Sequence, residues 1–155
     1  MKKALLLALL LGLAACKDEA RVTIFQDMMY FLENTSETEG YVSPVTKITA
    51  NPRSQAELLV VRNAFSANEH PRQTVGIVVD EELTTADPAT DFTLDRQTLT
   101  FSDRQTLQLP LQVTFRSSAA GKKIVLRLDY AYYDACPLNG RRCDRLTILV
   151  KDPAE

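Results

Sequence analysis

"LQLPLQVTF", Leu107 to Phe115, decides the fold. Leu107, Leu109, Leu111, Val113 and Phe115 alternate without a break with Gln108, Pro110, Gln112 and Thr114. A period of two places one set of side chains against a core and the other against water, which is the pattern of a half-buried strand. Pro110 has no amide hydrogen for a ladder, so this strand is expected at a sheet edge or bulged at that point.

The pattern recurs on both sides. Ile124, Leu126, Leu128, Tyr130 and Tyr132 alternate against Arg127 and Asp129, and Leu146, Ile148 and Val150 alternate with Thr147 and Lys151. Val75, Ile77 and Val79 line one face of another strand, with Gly76 opposite. Leu58 with Val60, Leu99 with Phe101, the run from Met28 to Leu32 and the region from Val45 to Ala50 supply the rest. "AELLVVRNAF", Ala56 to Phe65, mixes helix formers with a valine pair and reads as strand. No segment offers a long helix. About seven short strands, punctuated by Pro, Gly, Asn and Asp clusters, predict an all-β, immunoglobulin-like antiparallel sandwich over residues 28–155. Tyr130 and Tyr132 belong to its core face, and Tyr133 points out.

Near the C-terminus "CPLNGRRC" sets Cys136 and Cys143 on either side of Asn139 and Gly140. Asn-Gly favours a tight hairpin turn because both residues tolerate positive φ. A disulfide between Cys136 and Cys143 is expected to staple the hairpin mouth, worth about 2.5 kcal/mol on the loop-entropy account. A redox role would want a C-x-x-C spacing and a helix N-terminus, and neither is present.

The first residues read as an address. Lys2 and Lys3 precede an apolar run, Ala4 to Leu11, that is too short to cross the roughly 30 Å hydrocarbon core of a bilayer. Residues 1–15 are therefore expected to be a secretory signal. Leu13, Ala14, Ala15 and Cys16 resemble the lipobox of bacterial lipoproteins, which implies that Cys16 carries lipid and becomes the new N-terminus. A buried helix lacks the amphipathic stripe it would need, and an ordinary cut after Ala14 would leave Cys16 a free thiol. Lipidation resolves the odd count of three cysteines, leaving Cys136 and Cys143 to pair in an oxidising compartment. Lys17, Asp18 and Glu19 resemble the signal that sends Bacteroidota lipoproteins to the outer face of the outer membrane, with residues 16–27 as lipidated N-terminus and tether.

Loss of residues 1–15 leaves 16 basic against 20 acidic residues, a balance of −4. Nucleic-acid binding has no electrostatic footprint in such a chain. Hydrophobic and charged fractions of 45% and 25% suit one globular domain.

"VGIVVDEELTTADPATDFTLDRQTLTFSDRQTLQLPLQV", Val75 to Val113, resembles Calx-β and related small immunoglobulin-like domains of Bacteroidota surface lipoproteins. The shared order is a strand ending in acids, a loop reaching an Asp-aromatic pair at Asp91 and Phe92, an "LTF" strand, and an alternating strand. The resemblance implies a seven-stranded sandwich used in adhesion, spacing or ligand presentation. Some Calx-β domains bind calcium through clustered carboxylates, which points to Asp80, Glu81, Glu82, Asp87 and Asp91. EF-hand spacing is absent, however, and "LTILVKDPAE" has no counterpart of the family's closing acidic run, so these acids read as a solvated loop with no metal or cofactor.

Catalytic chemistry finds little to stand on. His70 is the only histidine, "NEHPRQ" around it reads as a surface turn, and there is no Gly-x-Ser-x-Gly elbow. Zinc would need partners beyond one imidazole. Two acids could still meet in the fold as in glycoside hydrolysis, but the chain has no tryptophan to stack a sugar. Arg141 and Arg142 form a basic knob at the hairpin tip. The expectation is a noncatalytic outer-membrane lipoprotein, facing the cell surface, that binds or presents an extracellular glycan or protein. The alternatives are a structural subunit of an envelope complex or fibre, suggested by pairable strand edges, and a small carboxylate-dependent hydrolase.

Overall fold

The computed structural model describes residues 28–34, 44–130, 137–138, 141–142 and 144–152. Cys16, Cys136 and Cys143, the signal and tether over residues 1–27, and Tyr132 and Tyr133 lie outside the described residues.

The chain forms a β-sandwich. In chain order the elements are β1 (Met29–Glu33), β2 (Lys47–Ala50), β3 (Gln55–Arg62), α1 (Ala64–Glu69), β4 (Gln73–Val79), β5 (Phe92–Leu94), β6 (Thr98–Phe101), β7 (Gln108–Phe115), a 3₁₀ turn (Ser117–Ala119), β8 (Lys123–Tyr130), β9 (Pro137–Leu138), β10 (Arg141–Arg142) and β11 (Arg145–Val150). One sheet runs β1-β3-β7-β5 and the other β2-β11-β8-β4-β6, while β9 and β10 form a separate ribbon. Nine strands thus build the two layers, against the seven expected. The strand the sequence reading did not name is β5, whose three residues leave periodicity little to register. The sheets are antiparallel except where β2 runs parallel to β11, because β2 enters from the far sheet by way of β1 and not through a hairpin.

The alternating faces meet in the middle. Leu58 and Val60, Val75 and Ile77, Leu99 and Phe101, Leu111, Val113 and Phe115, Ile124, Leu126 and Leu128, and Leu146, Ile148 and Val150 are all buried in one cluster. Leu107, read as core, is exposed instead, because it precedes β7. The phenol of Tyr130 ties the layers together. It sits in the core and accepts the Met29 amide at 3.1 Å, so β8 of one sheet holds β1 of the other.

Pro110 does not mark an edge strand, since β7 lies between β3 and β5. The register explains why it is tolerated. Phe115 donates to Ser54 O and Arg62 donates to Leu107 O, so the odd-numbered residues of β7 bond to β3. Pro110 therefore turns its nitrogen to the β5 side, where pairing spans only Val113 to Phe115 and is extended by Asp95 to Gln112. The missing donor falls past the end of that ladder, so the edge expected of the strand exists at this one position.

"AELLVVRNAF" divides in two. Strand β3 ends at Arg62, and Asn63 then caps a six-residue helix by accepting the Ser66 amide at 2.8 Å. Arg62 keeps the inward alternation of β3, so its guanidinium enters the end of the sandwich and is 1% exposed. Its Nε donates to Thr106 O (3.0 Å), Nη1 to His70 O (2.9 Å), and Nη2 to Pro71 O (3.3 Å) and to Asp103 O. The charge also lies 4.5 Å from the centre of the Phe101 ring. Desolvation lowers the Arg62 pKa from its ordinary value, partly offset by the Asp103 charge.

Arg62→Met is expected to keep the stem packing but leave these carbonyls without donors. The expected cost is about 3–5 kcal/mol, from orphaned buried acceptors at about 1–3 kcal/mol each with partial relaxation. Urea unfolding checks it: the midpoint should fall sharply for Met and less for Arg62→Lys, which keeps charge and some donors.

Candidate functional site

A wedge-shaped cleft opens between the two sheets where β1 and β2 diverge. Among the described residues the two strands are joined where the Val45 amide donates to Phe31 O at 2.8 Å. Beyond it β1 stops at Glu33, while β3 continues three residues further, as Gln55, Ala56 and Glu57, without a β1 partner in the ladder. The cleft has a volume of about 550 Å³. Ile48, Ala50, Ala56 and Leu58 give it an apolar floor, and Asn34, Thr49, Asn51, Ser54 and Gln55 make up most of its polar wall. Glu33 and Glu57 are its charged lining residues. The turn from β2 to β3 closes one end, with the Ser54 hydroxyl donating to Asn51 O at 2.6 Å. Arg53 in that turn has φ of +58°, the left-handed region in which a non-glycine residue costs about 1–2 kcal/mol.

Backbone alternation fixes which groups face this space. Thr147 and Lys151 donate to Thr46 O and Ala50 O, so the even-numbered residues of β2 face β11 and the backbone of Lys47 and Thr49 faces the open edge. On β1, Asn34 donates to Glu57 O and Asn63 to Met28 O, so even residues face β3 and the backbone of Glu33 faces the cleft. Neither Lys47, Thr49 nor Glu33 has a recorded backbone partner on that side among the described residues.

Two carboxylates at one cleft are the arrangement a glycosidase needs, but these two do not converge. Glu33 continues the inward row of Met29 and Phe31, whereas Glu57 lies in the outward row with Leu59, and both are exposed. They stand on opposite faces of one sheet in the same watery surroundings.

The other sequence-singled residues are dispersed. His70 ends α1, its carbonyl held by Arg62 and its amide donating to Ser66 O. Ser66, the hydroxyl nearest to it on that helix, is fully buried and accepts the Met28 amide at 3.1 Å. Leu138 pairs with Arg141 and Pro137 with Arg142, while Asn139 and Gly140, the expected turn, lie outside the described residues.

The acidic loop is not uniformly solvated, which corrects the sequence reading. Glu81 and Glu82 are exposed. Asp80 pairs with Arg145 at 3.2 Å, and Asp91 is 1% exposed. Asp91 accepts the Lys122 ammonium at 2.6 Å and the Asp87 amide at 2.7 Å through the same oxygen. It closes the loop from β4 to β5 against the turn before β8. Asp91 stands directly before the core residue Phe92, and that adjacency is the signal that separates it from the other acids of the loop. The Lys122 hydrogen bond first, then the Asp87 amide, hold its pKa at about 2, against 3.8 ordinarily and despite the opposing effect of burial. No group of three or more potential metal ligands occurs among the described residues.

No family model and no curated protein matches the chain. Solved structures similar to it include the third cohesin of ScaC, in complex with a ScaB dockerin, from Acetivibrio cellulolyticus, at 11% identity and a TM-score of 0.36, covering 68% of this chain and 96% of that one. The Coh-OlpA–Doc918 cohesin–dockerin complex from Clostridium thermocellum aligns at 7% identity and a TM-score of 0.38, covering 79% and 99%.

The Asp91 geometry gives a pH dependence with a definite sign. Its folded pKa is depressed, so its stabilising effect is complete above the unfolded value near 3.8 and is lost as pH falls through about 2. Asp91→Asn should lower the urea midpoint at pH 6, and the gap from the parent protein should close between about pH 4 and pH 2. A gap constant across that range would contradict the assignment.

Proposed function

We propose that the chain is an exported, lipid-anchored and noncatalytic β-sandwich that binds a protein partner outside the cytoplasm. The observation that carries this reading is the cleft between β1 and β2. It combines an apolar floor with strand backbone that has no partner among the described residues, which are the means of holding a polypeptide. Its lining brings no catalytic pair together. Among the described residues the cleft lining has no aromatic side chain to stack a sugar ring, which favours a protein partner over glycan capture.

The location is argued from sequence. Cys16 carries the lipid, Lys17 to Glu19 direct the protein to the outer membrane facing the cell surface, and Cys136 pairs with Cys143. One acyl chain binds membranes marginally and two or more hold stably, so the diacylglyceryl cysteine implied by the lipobox is a durable tether. The Calx-β-like kinship belongs to the same reading, as a small sandwich used to present a surface.

Cells fed an alkyne-labelled palmitate should yield labelled protein that loses the label in Cys16→Ser. Unlabelled parent protein would remove the anchor. Crosslinking on intact cells should co-purify a stoichiometric protein partner, and recovery of the lipoprotein alone would count against the binding role. Alkylation without reductant should leave Cys136 and Cys143 unmodified, and alkylation after reduction should modify both.

A further inference from the structure

We propose that the cleft binds an extended peptide segment, bearing alternate aliphatic residues and flanked by lysine or arginine, as an added strand on the free edge of β2. The inference rests on the protein-binding reading above and specifies the partner's chemistry at that same site.

The backbone argues for a strand. Lys47 and Thr49 present their N–H and C=O groups outward, and Glu33 presents its own from the facing side of the wedge. An edge of four residues is about 13 Å long at strand rise, room for a short extended segment and too little for a helix of several turns. A chain laid there would continue the sheet as a sixth strand and satisfy groups that have no backbone partner among the described residues.

The side chains argue for composition. Alternate residues of the added strand would point between the sheets at Ala56 and Leu58, beside Ile48 and Ala50. Alanines at positions 50 and 56 leave the space that the partner's aliphatic groups would fill. Both charged lining residues are carboxylates, Glu33 and Glu57, and both are exposed at the rim. Their charge selects basic flanks, and Lys47 at the start of β2 disfavours a basic residue at the opposite end of that strand.

The purified full chain in detergent, titrated with the acetylated and amidated peptide Lys-Val-Thr-Val-Thr-Val, tests this. Hydrogen exchange should slow at the Lys47 and Thr49 amides on binding. Affinity should fall at least tenfold when the lysine is replaced by glutamate, and be lost when alternate peptide nitrogens are methylated. Thr49→Pro removes an outward amide while sparing the β11 ladder, and should abolish binding. Glu33→Gln with Glu57→Gln keeps the fold and should weaken the basic peptide alone, so the test stands even if the proline variant unfolds. Unchanged exchange at Lys47 and Thr49 under saturating peptide would overturn the proposal. So would equal binding of the methylated peptide, or protection that rises with protein concentration without peptide, which would mean that a second copy covers the edge. A cellular partner crosslinked only outside the cleft would overturn this inference and leave the protein-binding reading intact.

Discussion

The sandwich depends on one buried charge. Arg62 ends β3 inside the molecule, and its guanidinium collects the carbonyls of Thr106, His70, Pro71 and Asp103. Those carbonyls belong to two connections, one from α1 to β4 and the other from β6 to β7, so a single side chain fixes two crossings between the layers. The cost of desolvating an arginine is large, and it is met by charge-assisted hydrogen bonds and by the face of Phe101. Among the described residues no carboxylate oxygen bonds to it directly. Asp103 contributes its carbonyl, while its carboxylate accepts the Gln105 and Thr106 amides and so shapes the turn that delivers that carbonyl. Removing the charge would leave the connections with buried acceptors, and the sheets they join with no fixed end.

At the opposite end of β3 the constraint is looser. There β1 stops while β3 continues, and β2 diverges after the bond from Val45 to Phe31. One end of the sandwich is thus closed by a polar plug and the other is left partly unzipped. A wedge of this kind exposes apolar floor and open backbone together, which a protein without a use for them would be expected to cover or blunt.

The alternation of β7, β8 and β11 was legible in the sequence because those strands are long and each buries one face. The shortest strand was not read: β5 has too few residues for a period to show, whereas the strand at Val45 to Ala50 was expected and is β2. Pro110 was rightly read as incompatible with a complete ladder, but its tolerance depends on where β5 ends, a property of a different segment. Arg62 was invisible, since a charged letter after "LLVV" looks like a strand reaching solvent. Asp91 was read with its acidic neighbours although it adjoins Phe92. The cleft could not be seen at all, because it is made by a difference in length between two strands far apart in the chain, and local pattern carries no such information.

The same two-layer logic bears on how chemistry is distributed over the molecule. Of the buried ionisable groups among the described residues, Arg62, Asp91 and Asp144, the first two are each committed to holding a connection in place, and their bonds leave little capacity for a substrate. The acids that remain accessible, Glu33 and Glu57 among them, lie on opposite faces of a sheet whose pleat keeps their side chains apart. A reaction of the glycosidase kind needs two carboxylates that are both accessible and converging, and Glu33 and Glu57 are accessible without converging. Binding needs only shape, open backbone and a favourable field. The cleft between β1 and β2 offers all three among the described residues, and the proposed binding role rests on that combination.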